Sequence, residues 1–252
     1  VHNGIVLRFE GASHRLNFAD LADGHSVVIY GQHEIAKDLI AARLAAGGDI
    51  RFEVSEVSLR DIESRRPMIF FKEEGRAEEI ECDIIAGCDG FYGACRAAIP
   101  AGVLEIYERI YPYSWIGILA DAPPAADELI YAHHQSGFAL ASMRSQRMAR
   151  LYFQVAPDED LSDWSDDRIW DELDQRLIGL DSIGWLLEGP VLQKGLTALR
   201  SYVGEPMRYG RLFLAGDSAH VVPPTGAKGL NLAASDAQIL ARALTAFYRQ
   251  GS

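Results

Sequence analysis

The chain has 252 residues, 48% of them hydrophobic and 24% charged, with a formal net charge of −12. This size and balance exclude disordered and fibrous classes and leave room for one large domain or two modest ones. The acidic charge argues against nucleic acid and membrane surfaces as partners, because neither attracts a chain of the same sign. No stretch approaches the roughly 18 consecutive apolar residues of a membrane helix, and no charged-then-apolar leader opens the chain, so we expect a cytoplasmic protein.

The first hundred residues read as short strands around one helix. Apolar alternation predicts two hairpin strands within residues 1–21 and a third strand at Val27–Tyr30. A helix is expected from about Ile35 to Ala45, ending at two glycines. Further strands are predicted at 51–57 and 68–72, with 78–81 as a solvated edge, and the apolar run 84–86 is typical of a strand buried on both faces.

Beyond Pro100 the pattern becomes aromatic and alternating, which predicts an antiparallel sheet from about residue 107 to 155. An amphipathic helix is predicted at 163–177, capped by Ser162 or Asp163. A short buried strand within 211–217 and a long helix from about Gly229 to Tyr248 follow. The three cysteines, Cys82, Cys88 and Cys95, are odd in number and fit neither a disulfide framework nor a zinc half-site, so we interpret them as reduced structural thiols. The chain opens and closes in mid-pattern, as a piece of a longer protein would.

The segment 216–231, GDSAHVVPPTGAKGLN, is the most informative one. A buried strand delivers Asp217 at its carboxyl end, where α/β sheets bind ligands and where a carboxylate accepts hydrogen bonds from sugar or ribityl hydroxyls. Two prolines fix the loop, and Gly226 and Gly229 let backbone approach a ring closely. The following helix points its positive end there, so amides near Leu230 and Asn231 would favour an anionic ligand. An ordinary glycine-rich strand-to-helix turn is the alternative.

A second constellation lies in residues 138–155. Ser142 and Arg144 are two apart on one predicted strand, and Arg150 and Tyr152 are two apart on the next, so each pair is expected to share a face. Two guanidinium groups and two hydroxyls form a natural carboxylate clamp. The alternative is a solvated sheet face, which arginine and tyrosine often line.

The run from Gly216 to Asn231 resembles the second flavin fingerprint of the p-hydroxybenzoate hydroxylase family of FAD-dependent aromatic hydroxylases. Cys88-Asp89-Gly90-Phe91 is similar to the middle motif of that family, and Tyr30-Gly31-Gln32 to its flavin-contacting segment. The resemblance extends over essentially the whole chain. It implies an α/β (α+β) fold, an FAD-binding domain of the aromatic hydroxylase type joined to an antiparallel-sheet substrate domain.

The resemblance implies a specific set of cofactor residues. Asp217 would bind the ribityl chain, Gln32 and Arg150 would contact the flavin, and Asp89 would lie where the cofactor and nicotinamide regions meet. The ring would lie against the loop that leads into the last helix, and the helix would stabilise reduced flavin. The loop and helix residues implied in FAD binding are Gly226, Lys228, Gly229, Leu230 and Asn231. Arg200 keeps a basic nucleotide-binding position, whereas Tyr92 replaces a histidine, so the choice between NADPH and NADH stays open.

The same resemblance implies the substrate residues and the reaction. Ser142, Arg144 and Tyr152 would hold a benzoate carboxylate, while Tyr131 and the Pro224 carbonyl would contact the phenol, with Thr225 beside them. Loss of the phenol proton makes the neighbouring ring carbon attack a flavin hydroperoxide, which inserts one oxygen atom from dioxygen. His2 would be the surface end of a proton path from Tyr131, although a histidine at such a place is often only solvated. The implied reaction converts 4-hydroxybenzoate to 3,4-dihydroxybenzoate in a protein that is a homodimer when complete.

Some family features are absent from the sequence, and other functions stay open. Residues 1–252 do not contain the GxGxxG turn that binds the FAD pyrophosphate in this family, and we expect it upstream of Val1, so that residues 1–103 form part of an FAD-binding domain. Residues 104–198 would form the substrate domain, and residues 199–252 would return to the FAD-binding domain and begin a C-terminal helical region. A hydroxylase for another aromatic acid, a non-catalytic binding module and a nicotinamide-only dehydrogenase are the alternatives. The histidines lack the spacing of a metal site, and none is predicted.

Overall fold

The computed structural model describes residues 1–9, 11–177 and 186–250. The chain divides into two compact units, each with its own core. The first unit consists of Val1–Lys37 and Tyr111–Leu199, and the second consists of Asp38–Ile110 and Arg200–Ser252. The assignment of residue ranges to an FAD-binding and a substrate domain stays a prediction.

The elements are numbered along the chain. In the described part of the chain the strands are β1 (Gly4–Phe9), β2 (Ala12–Asn17), β3 (Ser55–Arg60), β4 (Met68–Glu73), β5 (Arg76–Glu81), β6 (Ile85–Gly87), β7 (Glu105–Ala120), β8 (Leu129–His134), β9 (Gly137–Ser145), β10 (Met148–Val155), β11 (Val191–Glu205), β12 (Arg208–Tyr209), β13 (Leu212–Leu214) and β14 (His220–Val221). The helices are α1 (Phe18–Leu21), α2 (Gln32–Ala45), α3 (Ala94–Ala97), α4 (Asp166–Leu177) and α5 (Gly229–Gln250). Short 3₁₀ turns lie at Leu161–Asp163, Gly216–Ser218 and Pro224–Gly226.

A twisted sheet forms the first unit, with neighbouring strands in the order β7, β10, β9, β8, β1 and β2. These neighbours are antiparallel, except for the parallel pair of β1 and β8. The antiparallel sheet at 107–155 and the opening hairpin are therefore confirmed. So is the mixed α/β character of the fold.

The side-chain alternation of β10 shows how the two faces of this sheet differ. Leu151 and Phe153 are fully buried and pack with α4, whereas Arg150 and Tyr152 point to the opposite face. Burial of a side chain such as Phe153 stabilises the fold by about 1.5–3 kcal/mol. One face thus forms the core and leaves the other for polar and aromatic groups.

Helix α4 covers the core face of the sheet. The predicted apolar side chains are all buried, which confirms the helical pattern: Trp164, Ile169, Trp170, Leu173 and Leu177. The predicted cap is wrong, because residues 161–163 form a separate 3₁₀ turn capped by Asp160. The side chain that caps α4 is Ser165, whose Oγ accepts from the Arg168 amide at 3.2 Å.

The predicted strand at Val27–Tyr30 does not form. Val27 makes a single bridge to His2, with backbone hydrogen bonds of 2.7 and 2.9 Å, and the next three residues have no regular structure. Val28 and Tyr30 are exposed. Residues 27–30 are apolar but have no partner strand beyond Val27. They therefore form no β-ladder, because a strand needs a neighbour to pair its backbone groups.

The second unit contains two small sheets, β12–β13–β6 and β3–β4–β5. Ile85, Leu212 and Leu214 form its core together with Cys95. The prediction that 84–86 is buried on both faces is wrong, since Ala86 is exposed. The solvated edge at 78–81 is confirmed, because every residue of β5 is exposed. The long last helix is confirmed as α5, and no helix in the described ranges is long and apolar enough to cross a membrane.

Candidate functional site

The face of the first-unit sheet opposite α4 carries aromatic and polar side chains, and we call it the aromatic face. Tyr131 on β8 and Tyr152 on β10 lie directly opposite the same residue of β9, Leu140. Residues opposite each other in an antiparallel pair point to the same side, so these three side chains form one row across three strands. Neighbouring strands lie about 4.8 Å apart, which puts the two tyrosine backbones about 10 Å apart.

The Tyr152 ring packs directly over a glycine of the neighbouring strand. Gly117 on β7 lies opposite Tyr152, and a Cβ at Gly117 would come within 2.7 Å of the tyrosine ring. Arg150 Nε donates a 3.0 Å hydrogen bond to Tyr152 Oη, and its guanidinium lies 5.1 Å from the ring centroid. The predicted pairing of Arg150 and Tyr152 on one face is confirmed.

Ser142 joins this group, and Arg144 stands apart from it. Ser142 lies opposite Arg150 in the register and is buried. The register then shifts, because Met143 and Ser145 oppose consecutive residues of β10 and leave Arg144 as the extra residue of a bulge. Arg144 is exposed, and the two-residue alternation on which its shared face with Ser142 depended is interrupted there. Its role in a carboxylate clamp stays a prediction.

An aromatic wall beside this row was missed by the sequence analysis. Trp115 is 3% exposed, and its ring stacks on Phe138 at 4.8 Å and lies 5.7 Å from Tyr152. Phe138 in turn lies 6.0 Å from Tyr131. A signal existed, because Trp115 and Gly117 are two apart in a predicted strand. Nothing in the sequence, however, indicated which strand is the neighbour of β7.

Burial raises the pKa of the Tyr131 phenol. Since an ordinary tyrosine already titrates near pH 10, Tyr131 is neutral at physiological pH and its hydroxyl both donates and accepts. An aromatic row that ends in a neutral phenol on one side and an arginine–tyrosine pair on the other can hold a ring with two different polar substituents.

His2 is 2% exposed, which contradicts both its predicted surface position and the solvated alternative. Burial lowers the pKa of its imidazole, and its Nδ1 has no hydrogen-bond partner among the described residues. Leu7 is the residue of β1 that pairs with Tyr131, and His2 lies five residues earlier, before β1 begins. The place of His2 on a proton path from Tyr131 stays a prediction. Gln32 is exposed at the start of α2.

In the second unit, the turn that carries Asp217 is tightly fixed. Ser218 is buried, and the one proton of its Oγ has the carbonyl oxygen of Gly87 as its nearest acceptor at 2.5 Å, with that of Ala215 at 2.9 Å. The same oxygen accepts from the Ala215 amide at 3.2 Å. Asp217 itself is exposed on this anchored turn, three residues after β13 ends, and its role in ligand binding stays a prediction.

The loop between this turn and α5 is largely exposed. Pro224, Thr225, Gly226 and Lys228 are exposed, and Ala227 has the left-handed φ of 48°. A Cβ at Gly229, the first residue of α5, would meet no atom of the described residues within 4 Å. The first amides of a helix, here at Gly229, Leu230 and Asn231, have no intrahelical acceptor and carry the positive end of the dipole.

This arrangement suits the chemistry of a flavin cofactor. An exposed carboxylate fits a ribityl chain, and bare helix amides fit a ring that gains negative charge on reduction. The predicted cofactor residues of the second unit are thus in a form that could hold FAD.

Asp89 has a structural partner of its own. Its Oδ2 accepts from the Cys95 amide at 2.8 Å at the start of α3, and a Cβ at Gly93 would collide with the same carboxylate. Burial, followed by a hydrogen bond with Asp89, raises the pKa of the Cys95 thiol to about 12. The turn and capping function of Asp89 is observed, and its cofactor role stays a prediction.

Arg200 lies over the Phe91 ring, 4.7 Å from its centroid, and forms a 3.3 Å ion pair with Glu108. Arg96 contacts both Phe91 and Tyr202, 4.3 and 4.6 Å from the two centroids, and the two rings pack edge to face at 5.2 Å. Tyr92, next to this stack, is 88% exposed. The structure adds Arg96 to the basic positions near Arg200, a residue that the sequence analysis did not single out.

The predicted site residues are divided between the units. The first unit contains His2, Gln32, Tyr131, Ser142, Arg144, Arg150 and Tyr152. The second unit contains Asp89, Arg200, Asp217 and the residues from Pro224 to Asn231. Within the described residues, histidine, cysteine, aspartate and glutamate form no cluster of three or more that could hold a metal ion.

Comparison with known proteins identifies the class. Residues 1–252 match the model of the family described as FAD binding domain, and the chain belongs to this family. FAD is accordingly the cofactor that the family assigns.

A close relative is the p-hydroxybenzoate hydroxylase of Acinetobacter baylyi, 49% identical over 251 residues, which are 100% of this chain and 62% of the relative. The aklavinone 12-hydroxylase RdmE of Streptomyces purpurascens is 28% identical over 85% of this chain and 41% of its own length. The chain thus spans less than two thirds of the length of these curated relatives.

Solved structures confirm the predicted fold class. The p-nitrophenol 4-monooxygenase PnpA of Pseudomonas putida has a TM-score of 0.83 at 18% identity, over 100% of this chain and 64% of that one. An aklavinone-11 hydroxylase in complex with FAD and aklavinone has a TM-score of 0.78 at 21% identity, over 98% of this chain and 49% of that one. At these identities the likeness concerns the fold alone.

Proposed function

We propose that the complete protein is an FAD-dependent monooxygenase that converts 4-hydroxybenzoate to 3,4-dihydroxybenzoate. In the balanced reaction NAD(P)H and a proton supply two electrons and two protons, one oxygen atom of dioxygen enters the ring carbon beside the phenol, and the other leaves as water. The 49% identity to a p-hydroxybenzoate hydroxylase supports this choice of reaction. The alternative is a flavin hydroxylase for another phenolic acid.

The single observation that carries the proposal is the row Tyr131–Leu140–Tyr152 on the aromatic face. A para-substituted benzoate has an acid at one end and a phenol at the other, and the row has matching groups two strands apart. Ser142 and Arg150 stand beside Tyr152, where hydroxyl and guanidinium groups would bind the carboxylate. Arg144, the bulge residue two positions after Ser142, would be the second cation of this proposed clamp.

Tyr131 would accept the phenol proton of the substrate at Oη and pass on its own. Its raised pKa keeps it neutral, so that it shares the proton rather than carrying a negative charge that would repel a phenolate. Trp115 and Phe138 would exclude water from the ring.

When bound, FAD accepts hydride from NAD(P)H and activates dioxygen. The residues of the second unit would hold it: Asp217 on the ribityl hydroxyls, and the amides of Gly229 to Asn231 beside the part of the ring that becomes negative. Arg200 and Arg96 are the basic residues proposed to meet the nucleotide phosphates. A cytoplasmic location and a homodimer remain predictions.

Substrate binding tests the proposal. The dissociation constants of 4-hydroxybenzoate, benzoate and 4-nitrophenol are measured on the complete FAD-loaded protein by the change in flavin absorbance. We expect the affinity order 4-hydroxybenzoate, benzoate, 4-nitrophenol, because only the first satisfies both ends of the row. Equal affinity for all three would contradict the carboxylate clamp, and a different phenolic acid that binds better would support the alternative.

A further inference from the structure

One carboxylate of the second unit belongs to no predicted site, although it touches the turn that carries Asp217. Asp236 lies in the middle of α5, and its Oδ2 accepts a 2.9 Å hydrogen bond from the Gly216 amide. The same oxygen accepts from His220 Nε2 at 2.6 Å, since an ionised carboxylate only accepts. The two donors flank Asp217, one residue before it and three residues after it.

Packing reinforces these bonds. Gly216 has a φ of +64°, and a Cβ there would lie 3.1 Å from the Cβ of Ala233. Ala233 and Asp236 are three apart on α5 and therefore lie on the same helix face. The His220 and Asp236 side chains are only 13% and 26% exposed, so competition from water is limited.

The N-terminal end of the same helix follows the loop that contains Pro224 and Gly226. Gly229, where α5 begins, is seven residues before Asp236, or about 10 Å along a helix that rises 1.5 Å per residue. A helix is stiff over this length. The hydrogen bonds of Asp236 therefore fix the turn that carries Asp217 relative to the amides of Gly229 to Asn231 as well.

We propose that Asp236 is a positioning residue. Its two contacts, with the Gly216 amide and with His220, are called the clasp. The clasp holds the ribityl-binding carboxylate of Asp217 at a fixed place relative to the flavin-facing end of α5. The inference rests on the proposed function, because it assumes that both ends bind one FAD molecule. Asp236 and His220 act through Asp217 and the helix end without contacting the cofactor themselves.

FAD binding to the complete protein tests the clasp. Apoprotein of the wild type and of Asp236→Ala, Asp236→Asn, His220→Ala and Gln238→Ala is titrated with FAD, and quenching of flavin fluorescence gives the dissociation constant. We expect Asp236→Ala to raise this constant at least about tenfold, the equivalent of 1.4 kcal/mol. Asp236→Asn should raise it less, because the amide oxygen still accepts from Gly216, and Gln238→Ala, on the exposed side of α5, should leave it unchanged.

A second readout separates positioning from general stability. If the helix end moves away from the ring, the midpoint potential of bound flavin becomes more negative in Asp236→Ala and His220→Ala, whereas lost stability alone lowers the unfolding midpoint and leaves the potential unchanged. An FAD affinity and potential equal to those of the wild type in a folded Asp236→Ala protein would overturn the clasp. If that variant does not fold, His220→Ala decides by the same two measurements. Failure of the wild type to bind FAD would instead refute the proposed function.

Discussion

Tyr131 and Tyr152 share one register partner, Leu140, so two phenols from different strands project from the same face at the same level of the sheet. The pairing places a neutral, half-buried phenol two strands away from a phenol that accepts from a guanidinium. Because the hydrophobic pattern and the two short hairpin turns that join β8, β9 and β10 together set the strand register, this spacing is a property of the fold.

Gly117→Ala should displace Tyr152. The new Cβ would lie within 2.7 Å of a ring that has the Arg150 guanidinium and Trp115 around it, so the ring must move. We expect a loss of about 1–3 kcal/mol in the free energy of unfolding and at least tenfold weaker binding of 4-hydroxybenzoate. Denaturant unfolding and substrate titration measure the two effects. Gly195→Ala is the matched control, because its Cβ would meet no described atom within 4 Å, and an equal effect there would refute the account.

Tyr152→Phe should weaken substrate binding with little effect on folding. The change removes the oxygen that accepts from Arg150 Nε and leaves the ring over Gly117. The dissociation constant of 4-hydroxybenzoate should rise about tenfold, whereas that of 4-nitrophenol, which lacks a carboxylate, should change little. Arg147→Ala, an exposed arginine in the turn that follows β9, serves as a charge control. A parallel loss for both compounds would indicate a packing role for the Tyr152 hydroxyl instead of carboxylate binding.

Tyr131→Phe should separate reductant consumption from hydroxylation. Without the phenol, the substrate keeps its carboxylate contacts but loses the group proposed to take its proton, so NAD(P)H is still oxidised while less 3,4-dihydroxybenzoate forms. The ratio of product formed to NAD(P)H consumed should fall at least tenfold. An unchanged ratio would remove Tyr131 from the chemistry.

Arg176→Ala should destabilise the first unit. Arg176 is buried, donates to the carbonyl oxygen of Gln154 at 2.6 Å and pairs with Glu172 at 2.8 Å, and so ties α4 to the strand that carries Tyr152. Its removal leaves a partly buried carboxylate and a carbonyl without their partner, which costs about 3–5 kcal/mol. Thermal unfolding measures the loss, and the exposed Arg147→Ala should stay within about 0.5 kcal/mol of the wild type. Similar midpoints for both variants would contradict this role.

Cys95 should resist alkylation while Cys88 reacts. The Cys95 pKa of about 12 lies above its usual value of 9.0, so the thiolate that attacks alkylating reagents is scarce, and the side chain is buried. Cys88 is exposed. Because the pKa of Cys95 is raised by folding, its contribution to stability is complete below pH 9 and is lost as the pH rises toward 12. Peptide mass spectrometry after iodoacetamide treatment at pH 8 should find Cys88 modified first, with equal labelling only in denaturant, and equal labelling of the folded protein would contradict the burial of Cys95.

The spacing of apolar residues predicted those elements whose pattern is local in the sequence. The apolar face of α4 and the alternation of β10 could both be predicted, because burial of one face imposes a period of 3.6 residues on a helix and of 2 on a strand. The strand at 27–30 failed for the complementary reason, since a strand also requires a partner that sequence distance does not reveal. Arg144 shows the limit within one hairpin, because a single bulge residue interrupts the face that a period of two predicts.

The contacts that were missed join distant residues. Trp115 meets Phe138 and Tyr152 only after β7 pairs with β10, and Asp236 meets Gly216 only after α5 folds back over the turn. Neither pairing leaves a periodic trace in the sequence. Resemblance to the aromatic hydroxylase family supplied Tyr131 and Asp217 as candidates, and the structure added the positions of their neighbours.

Oxygen transfer under ¹⁸O₂ shows whether the complete protein hydroxylates 4-hydroxybenzoate. The complete protein with FAD, NADPH and 4-hydroxybenzoate should form 3,4-dihydroxybenzoate that carries one ¹⁸O atom, at the new hydroxyl beside the original phenol. Mass spectrometry of the product measures the label and its position. A product without ¹⁸O, or NADPH oxidation that is indifferent to 4-hydroxybenzoate and yields no hydroxylated acid, would contradict the account.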